Sequence, residues 1–146
     1  MKFSDVESSK WEELKPYLDT CLLPITGLSG SESPWQATDK LELLRDAMDC
    51  IEIPFRGRVI TYPALHYVLH QETGQIEQAL DELCHKLKED SFKYVIVLTT
   101  QAAYEQLKLQ DADIFLYVNA GELQENPELI HENIAKAVQA MWSAMN

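Results

Sequence analysis

The hydrophobic positions of this chain fall into short apolar runs separated by longer amphipathic stretches. Four runs predict β-strands, and they span Thr20–Thr26, Arg58–Tyr62, Tyr94–Thr100 and Ile114–Val118. The run Tyr94–Thr100 is continuous and rich in β-branched residues, which is typical of a strand buried on both faces and predicts the centre of a sheet. Strands that alternate with helical segments indicate a parallel sheet covered by helices.

The stretches between the runs repeat apolar residues every three or four positions, which is the spacing of one buried helical face. They predict helices over Asp5–Tyr17, from the Ser33-Pro34 cap to about Ile51, from Ile76 to Leu87, and from Asn126-Pro127 along a stripe that reaches Met141 and Met145. Shorter helices are expected over Pro63–His70 and Gln101–Leu109. We therefore predict an α/β fold, a small three-layer sandwich with a four-stranded, mainly parallel sheet and helices on both faces.

The order of the strands depends on Pro24, which lies in the first strand and has no backbone N–H to donate to a neighbour. Either this strand lies at an edge of the sheet, or its pairing stops or bulges at Pro24. The flavodoxin-like order 2-1-3-4 would place Pro24 in a central strand, and the missing donor argues against that order. The α/β class is predicted without a strand order.

Length and charge restrict the classes of function. The 146 residues correspond to one domain over 1–146, and a hydrophobic content of 46% is ordinary for a folded protein. The formal net charge of −12 is spread over both halves of the chain. This charge repels the phosphates of nucleic acids and of anionic lipids, so we expect no nucleic-acid partner and no membrane partner. Neither a secretory signal nor a membrane-spanning run is present, so we expect a cytoplasmic protein.

The sequence predicts no metal, no cofactor and no catalytic residue. Cys21, Cys50 and Cys84 are odd in number and far apart, which fits reduced, buried thiols better than a disulfide framework or a zinc knuckle. His66 and His70 are four residues apart, but the glutamate of the zinc-protease motif and a third ligand are missing. The Gly-x-Ser-x-Gly pattern of a hydrolase nucleophile is also missing.

Three segments of the chain resemble those of a known family. They are Thr20-Cys-Leu-Leu-Pro-Ile-Thr after an N-terminal helix, Phe55-Arg-Gly-Arg-Val-Ile with Pro63 nearby, and Phe92-Lys-Tyr-Val-Ile-Val-Leu-Thr. The chain resembles, over nearly its full length, the YpiF-type family of small bacterial proteins, which is classed as a domain of unknown function. The resemblance implies a cytoplasmic protein without an assigned activity, and it transfers no catalytic residue.

A candidate ligand-binding site follows from the predicted sheet, because ligands of open parallel sheets bind at the carboxyl ends of the strands. The polar residues expected there are Gly27, Ser29, Gly30, His66, Thr99, Thr100 and Asn119. The loop around Gly27 and Gly30 offers backbone N–H groups to a phosphate, although it matches neither phosphate-binding glycine motif. The other interpretation of this loop is a mobile surface connection.

Two classes of function remain. The first is a non-enzymatic binding or regulatory module that acts through protein–protein contacts, with a protein partner or a second copy at the C-terminal helix. Trp142 lies about 100° around that helix from Met141 and is expected to be its exposed member. The second is a small-molecule or phosphate-binding protein, or an enzyme, with its site at the carboxyl ends of the strands.

Overall fold

The computed structural model describes residues 1–68 and 72–144, and its central element is a four-stranded parallel sheet in the order β2-β1-β3-β4. The strands are β1 (Thr20–Ile25), β2 (Val59–Thr61), β3 (Tyr94–Thr99) and β4 (Ile114–Tyr117). All four predicted strands are confirmed, each slightly shorter than predicted. Because helices pack on both faces of this sheet, the predicted α/β class is confirmed as well.

The helices agree less closely with the sequence pattern. They are α1 (Ser8–Leu14), α2 (Pro34–Glu52), α3 (Thr73–Asp90), α4 (Ala120–Glu125) and α5 (Pro127–Ser143), with 3-10 turns at Phe3–Asp5 and Ala102–Tyr104. The short helix α4 was not predicted. His70 and Met145, which the predicted helices include, lie outside the described residues.

The helix predicted over Gln101–Leu109 is wrong, because this segment forms one 3-10 turn at Ala102–Tyr104 and then a loop. The N–H of Lys108 donates to the carboxylate of Glu77 on α3 at 2.6 Å. The Glu77 carboxylate thus accepts from the Lys108 N–H, which in a helix would donate to a carbonyl oxygen of the same helix. Leu107 fixes the loop against the core, where it is buried.

Pro24 lies in the internal strand β1, and the strands have the order 2-1-3-4 that Pro24 was expected to disfavour. That expectation was wrong. The ladder between β1 and β3 covers all of Thr20–Ile25, whereas the ladder between β1 and β2 ends at Leu22 and Thr61. Alternate residues of a strand direct their backbone N–H and C=O groups to the same neighbouring strand. The backbone of Pro24 therefore faces the β2 side of β1, at a level beyond the last residue of β2. The missing donor costs no ladder bond on the β3 side. Of the two predicted alternatives, the edge position is wrong, and the stop in pairing is found on the β2 side alone.

The segment after β2 contains no helix up to Val68, which corrects the predicted helix over Pro63–His70 for the described part. The chain returns to β1 instead, since Leu65 N donates to Pro24 O and Thr26 N donates to Leu65 O, both at 2.9 Å. These hydrogen bonds pair Leu65 with Ile25 in parallel, so the segment continues beside β1 beyond the last residue of β2.

Two hydrophobic clusters separate the layers. On one face of the sheet, Cys21 and Val95 pack with residues of α1 and α3, among them Leu80. On the other face, Ile96 packs with residues of α2, α4 and α5, among them Val138. The residues of 94–98 alternate between the two clusters, which explains why this part of β3 is apolar throughout.

Arg58 attaches the end of α5 to the sheet. Its guanidinium donates to both carboxylate oxygens of Asp19, at 2.9 and 3.2 Å, and its Cζ lies 4.1 Å from the ring centroid of Trp142. The indole N–H of Trp142 donates to Thr20 Oγ1 at 2.9 Å, and the ring meets Phe55 edge-on at 5.1 Å. Trp142 is therefore an internal anchor, and its expected role as the exposed member of the last helix was wrong.

We expect Arg58→Ala and Trp142→Leu each to lower the free energy of unfolding by about 1–3 kcal/mol, because each removes the same stacked contact. A double-mutant cycle in urea should give a coupling energy of about 1 kcal/mol between them. Arg45→Ala, which removes only an exposed pair with Asp46, is the control and should change stability by less than about 0.5 kcal/mol. Additive effects of the Arg58 and Trp142 substitutions would contradict the anchor.

Candidate functional site

The loop after β1 binds a carboxylate of its own chain. Glu32 accepts hydrogen bonds from the N–H of Ser29 and of Gly30 at 3.0 Å and from the Ser29 hydroxyl at 2.8 Å. Gly30 has a φ of +99°, a conformation that residues with a Cβ rarely adopt. The backbone donors predicted to bind a phosphate therefore lie together as an anion nest, and Glu32 fills it.

Lys40 of α2 closes this arrangement. Its ammonium donates to the Glu32 carboxylate and to the carbonyl oxygen of Gly27, both at 3.0 Å. The Glu32 side chain is only 7% exposed. The hydrogen bonds from the Ser29 backbone, followed by those from Lys40, the Ser29 hydroxyl and Gly30, hold the pKa of Glu32 well below its usual range. The carboxylate is thus charged at neutral pH and competes with any external anion for these donors.

His66 lies at the same edge of the sheet, next to Thr26. The Thr26 hydroxyl lies 2.9 Å from His66 Nδ1 and 3.1 Å from the carbonyl oxygen of Leu65. Because the hydroxyl has one proton to donate, donation to Leu65 makes His66 Nδ1 the donor in the contact with Thr26. His66 is exposed.

The remaining predicted site residues mainly form hydrogen bonds with backbone groups at the carboxyl edge of the sheet. Thr99 is fully buried, where its hydroxyl donates to the carbonyl oxygen of Ile25 and accepts from Gln101 N, both at 3.1 Å. The carboxamide of Gln101 lies where a Cβ on Gly27 would be. Asn119 caps α4, with its side chain accepting from Glu122 N at 3.1 Å. Thr100 is half-buried between these elements.

The structure thus brings together parts of the predicted site, but as internal contacts. Gly27 meets the Gln101 side chain, Ser29 and Gly30 bind Glu32, and His66 meets Thr26. Surface cavities of about 290–600 Å³ lie elsewhere on residues 1–68 and 72–144, and their linings include none of the seven candidate residues. The ligand-binding role of these residues stays a prediction.

One of these cavities is a groove of about 410 Å³ between α2 and the C-terminal helices α4 and α5. The α2 groove, as we call it, is lined by Leu43, Asp46, Asp49, Ile53, Ala120, Leu123, Gln124, Pro127 and His131. Ile53 is 57% exposed and also borders a neighbouring cavity of about 580 Å³. Asp49 forms no ion pair within residues 1–68 and 72–144. The groove combines exposed apolar surface with the carboxylate of Asp49.

Glu32 and the α2 groove were missed by the sequence analysis for different reasons. The spacing Ser29-x-x-Glu32 is that of a capping box, in which a glutamate accepts from the backbone three residues earlier, so this contact had a local signal. The groove had none, because α2, α4 and α5 contribute residues from distant parts of the chain and α4 itself was not predicted.

The three thiols are buried and free, as predicted. Burial raises the pKa of Cys50 to about 11 and that of Cys84 to about 12, and it raises the pKa of Cys21 as well, with a further contribution from Cys84. A protonated, inaccessible thiol is a poor nucleophile, so these side chains fit a structural role.

No helix within residues 1–68 and 72–144 is long and apolar enough to cross a membrane. Over the same ranges, no three His, Cys, Asp or Glu side chains cluster so as to hold a metal ion.

Comparison with known proteins gives one match. The model of DUF2487, described as a protein of unknown function, matches residues 9–144. No curated protein matches the chain significantly, and neither does any solved structure.

We expect Glu32→Gln to lower the urea midpoint at neutral pH, because the amide loses the charge that the nest stabilises. The Glu32 pKa is lowered on folding, so the stability it contributes is present above the ordinary value of 4.5 and is lost as pH falls below it. The variant should therefore lose less stability than the native chain on acidification. Glu42→Gln on the exposed side of α2 is the control, and an equal acid sensitivity of all three proteins would contradict the nest.

We expect none of the three cysteines to react with Ellman's reagent in the native state at neutral pH and all three to react in denaturant. Their pKa values are raised on folding, so this stability is present below the ordinary value of 9.0 and is lost at higher pH. The urea midpoint should fall above about pH 9, and fall less for Cys50→Ala. Rapid labelling of the native protein would refute the burial of these thiols.

Proposed function

The chain belongs to DUF2487, a family of unknown function, and we propose that it is a non-enzymatic binding module that acts through protein–protein contacts at the α2 groove. The observation that carries this proposal is the contrast between two surfaces, the carboxyl ends of the strands and the α2 groove. At the carboxyl ends of the strands, Glu32 already holds the anion-binding donors, while the α2 groove is open. A YpiF-type relationship within the family and a cytoplasmic location belong to the same proposal.

The α2 groove has the composition of a protein-binding surface. Ile53 presents a large apolar side chain to solvent, and Leu129 does the same at 55% exposure in an adjoining cavity that shares Pro127 with the groove. Exposed apolar surface bordered by polar residues is typical of interaction sites. The C-terminal helix α5 contributes Pro127 and His131, which agrees with the partner contact expected at this helix.

Charge indicates which partner segment fits. Asp46 and Asp49 lie in the groove, and the ion pair of Asp46 with Arg45 is exposed on both sides, which makes it weak. The formal net charge of −12 adds a long-range preference for positive partners. We infer a partner segment that places an apolar side chain against Ile53 and a lysine or arginine against Asp49.

We expect a photo-crosslinking amino acid at Ile53 to capture one protein in cells, through a peptide that contains lysine or arginine. The same amino acid at Tyr17, which is 71% exposed and lies outside the groove, is the matched control and should not capture it. Adding Asp49→Lys to the Ile53 probe should abolish the crosslink, because it reverses the charge that the partner meets.

Capture that persists with Asp49→Lys, or equal capture from Tyr17, would contradict the proposal. A crosslink between two copies of the chain would identify the partner as a second copy, and sedimentation of the Asp49→Lys variant should then show a monomer. Both probe positions are exposed, so the variants should keep the native melting temperature.

One observation favours the alternative, a small-molecule site at the carboxyl ends of the strands. The ring of the exposed His66 is held by Thr26 through Nδ1, an arrangement that suits a base or a ligand-binding group. A thermal-shift screen with nucleotides and sugar phosphates separates the two functions. Stabilisation by any of them that is lost in His66→Ala would favour the alternative, and no stabilisation favours the protein-binding module.

A further inference from the structure

A second candidate site lies on the other face of the sheet from the α2 groove. Here the N-terminal segment and strand β2 enclose a pocket of about 290 Å³, which we call the aromatic pocket. Its lining includes Phe3, Trp11, Tyr62, Val6, Ile60 and Glu7. We propose that the aromatic pocket binds an organic cation, specifically the ammonium group of an alkylamine.

The aromatic walls are fixed from behind by the core. Phe92 is buried, and its ring lies 5.2 Å from that of Tyr62 at an angle of 87° and 6.1 Å from that of Trp11 at 57°. Phe3 extends the wall, with its ring 6.1 Å from that of Tyr62 at 61°. The contacts with Phe92 fix the tilt of Trp11 and Tyr62, and the rings of Phe3 and Tyr62 border the pocket at an inclination of 61° to each other. Several aromatic rings around one cavity are the kind of surface that binds quaternary ammonium groups.

Glu7 supplies the charge that an ammonium group requires. Of the lining residues, all of which the structure describes, it alone is ionisable to an anion at neutral pH. Glu7 is the N-cap residue of α1, but its carboxylate makes no capping hydrogen bond there. The carboxylate is exposed and forms no ion pair within residues 1–68 and 72–144. A bound ammonium group would neutralise it, whereas an anion would be repelled by Glu7 and by the net charge of the chain.

The protein's own cations leave these rings free. The three cation–π contacts of the described residues place Arg58 over Tyr94 and Trp142, and Lys93 over Tyr94. No lysine or arginine lines the aromatic pocket. The aromatic pocket therefore differs from the Arg58 anchor, where the chain supplies both the ring and the cation.

The shared chemistry, an ammonium group on an apolar stem, has two sources: a free amine and a lysine side chain of another protein. Choline is the probe for the first, and a short peptide with one trimethyllysine is the probe for the second. The neutral isostere of choline, 3,3-dimethylbutanol, has the same shape without the charge. Binding is measured by titration of the folded full chain, following the indole N–H resonance of Trp11.

We expect choline or the peptide to shift this resonance saturably and to bind about tenfold more tightly than dimethylbutanol. Glu7→Gln and Trp11→Leu should each weaken binding about tenfold, the second followed through backbone resonances of Glu7 and Ser8. Glu13→Gln, which changes an exposed carboxylate of α1 outside the pocket, is the matched control and should bind like the native chain.

Preference for choline over the peptide would assign a free amine, and preference for the peptide would assign a protein-borne side chain. Absence of a saturable shift with either cation would overturn the proposal. Equal affinity for dimethylbutanol, or a Glu7→Gln variant that binds as well as Glu13→Gln, would overturn it too, because the pocket would then recognise apolar shape alone. Melting curves of each variant separate loss of binding from loss of folding.

Discussion

Pro24 determines how the central strand is paired, and the carboxyl edge of the sheet depends on that pairing. Because Pro24 has no N–H, the ladder between β1 and β2 ends at Leu22 and Thr61. The chain then returns to β1 through Leu65, which bonds to both Pro24 and Thr26. The segment after β2 consequently continues beside the end of β1, instead of forming the predicted helix.

Side chains of the protein itself fill the carboxyl edge of the sheet, and this changes which part of the fold is available for function. Doubly wound sheets usually bind ligands where the order of the strands reverses, and here that position lies between β1 and β3. The chain fills it with its own groups, since Glu32 holds the nest and Gln101 covers Gly27. Open apolar surface lies on the two layers of helices instead, in the α2 groove and in the aromatic pocket.

The sequence predicts what depends on neighbouring residues and misses what depends on distant ones. The run Tyr94–Thr99 and the buried face of α2 follow from local periodicity, and the structure contains both. The helix expected over Gln101–Leu109 fails because Glu77, on another element, binds its backbone. The exposure of Trp142 was misjudged likewise, because its contact with Arg58 joins distant parts of the chain. Glu32 is different, since it was missed although the spacing Ser29-x-x-Glu32 is a local signal.

The most direct test of the closed carboxyl edge is a titration of the native protein with inorganic phosphate, followed through the backbone amide resonances of Ser29 and Gly30. Glu32 occupies both donors, so the account predicts that neither resonance shifts saturably at millimolar phosphate. A saturable shift of both resonances would contradict it, because the nest would then bind an external anion in place of Glu32.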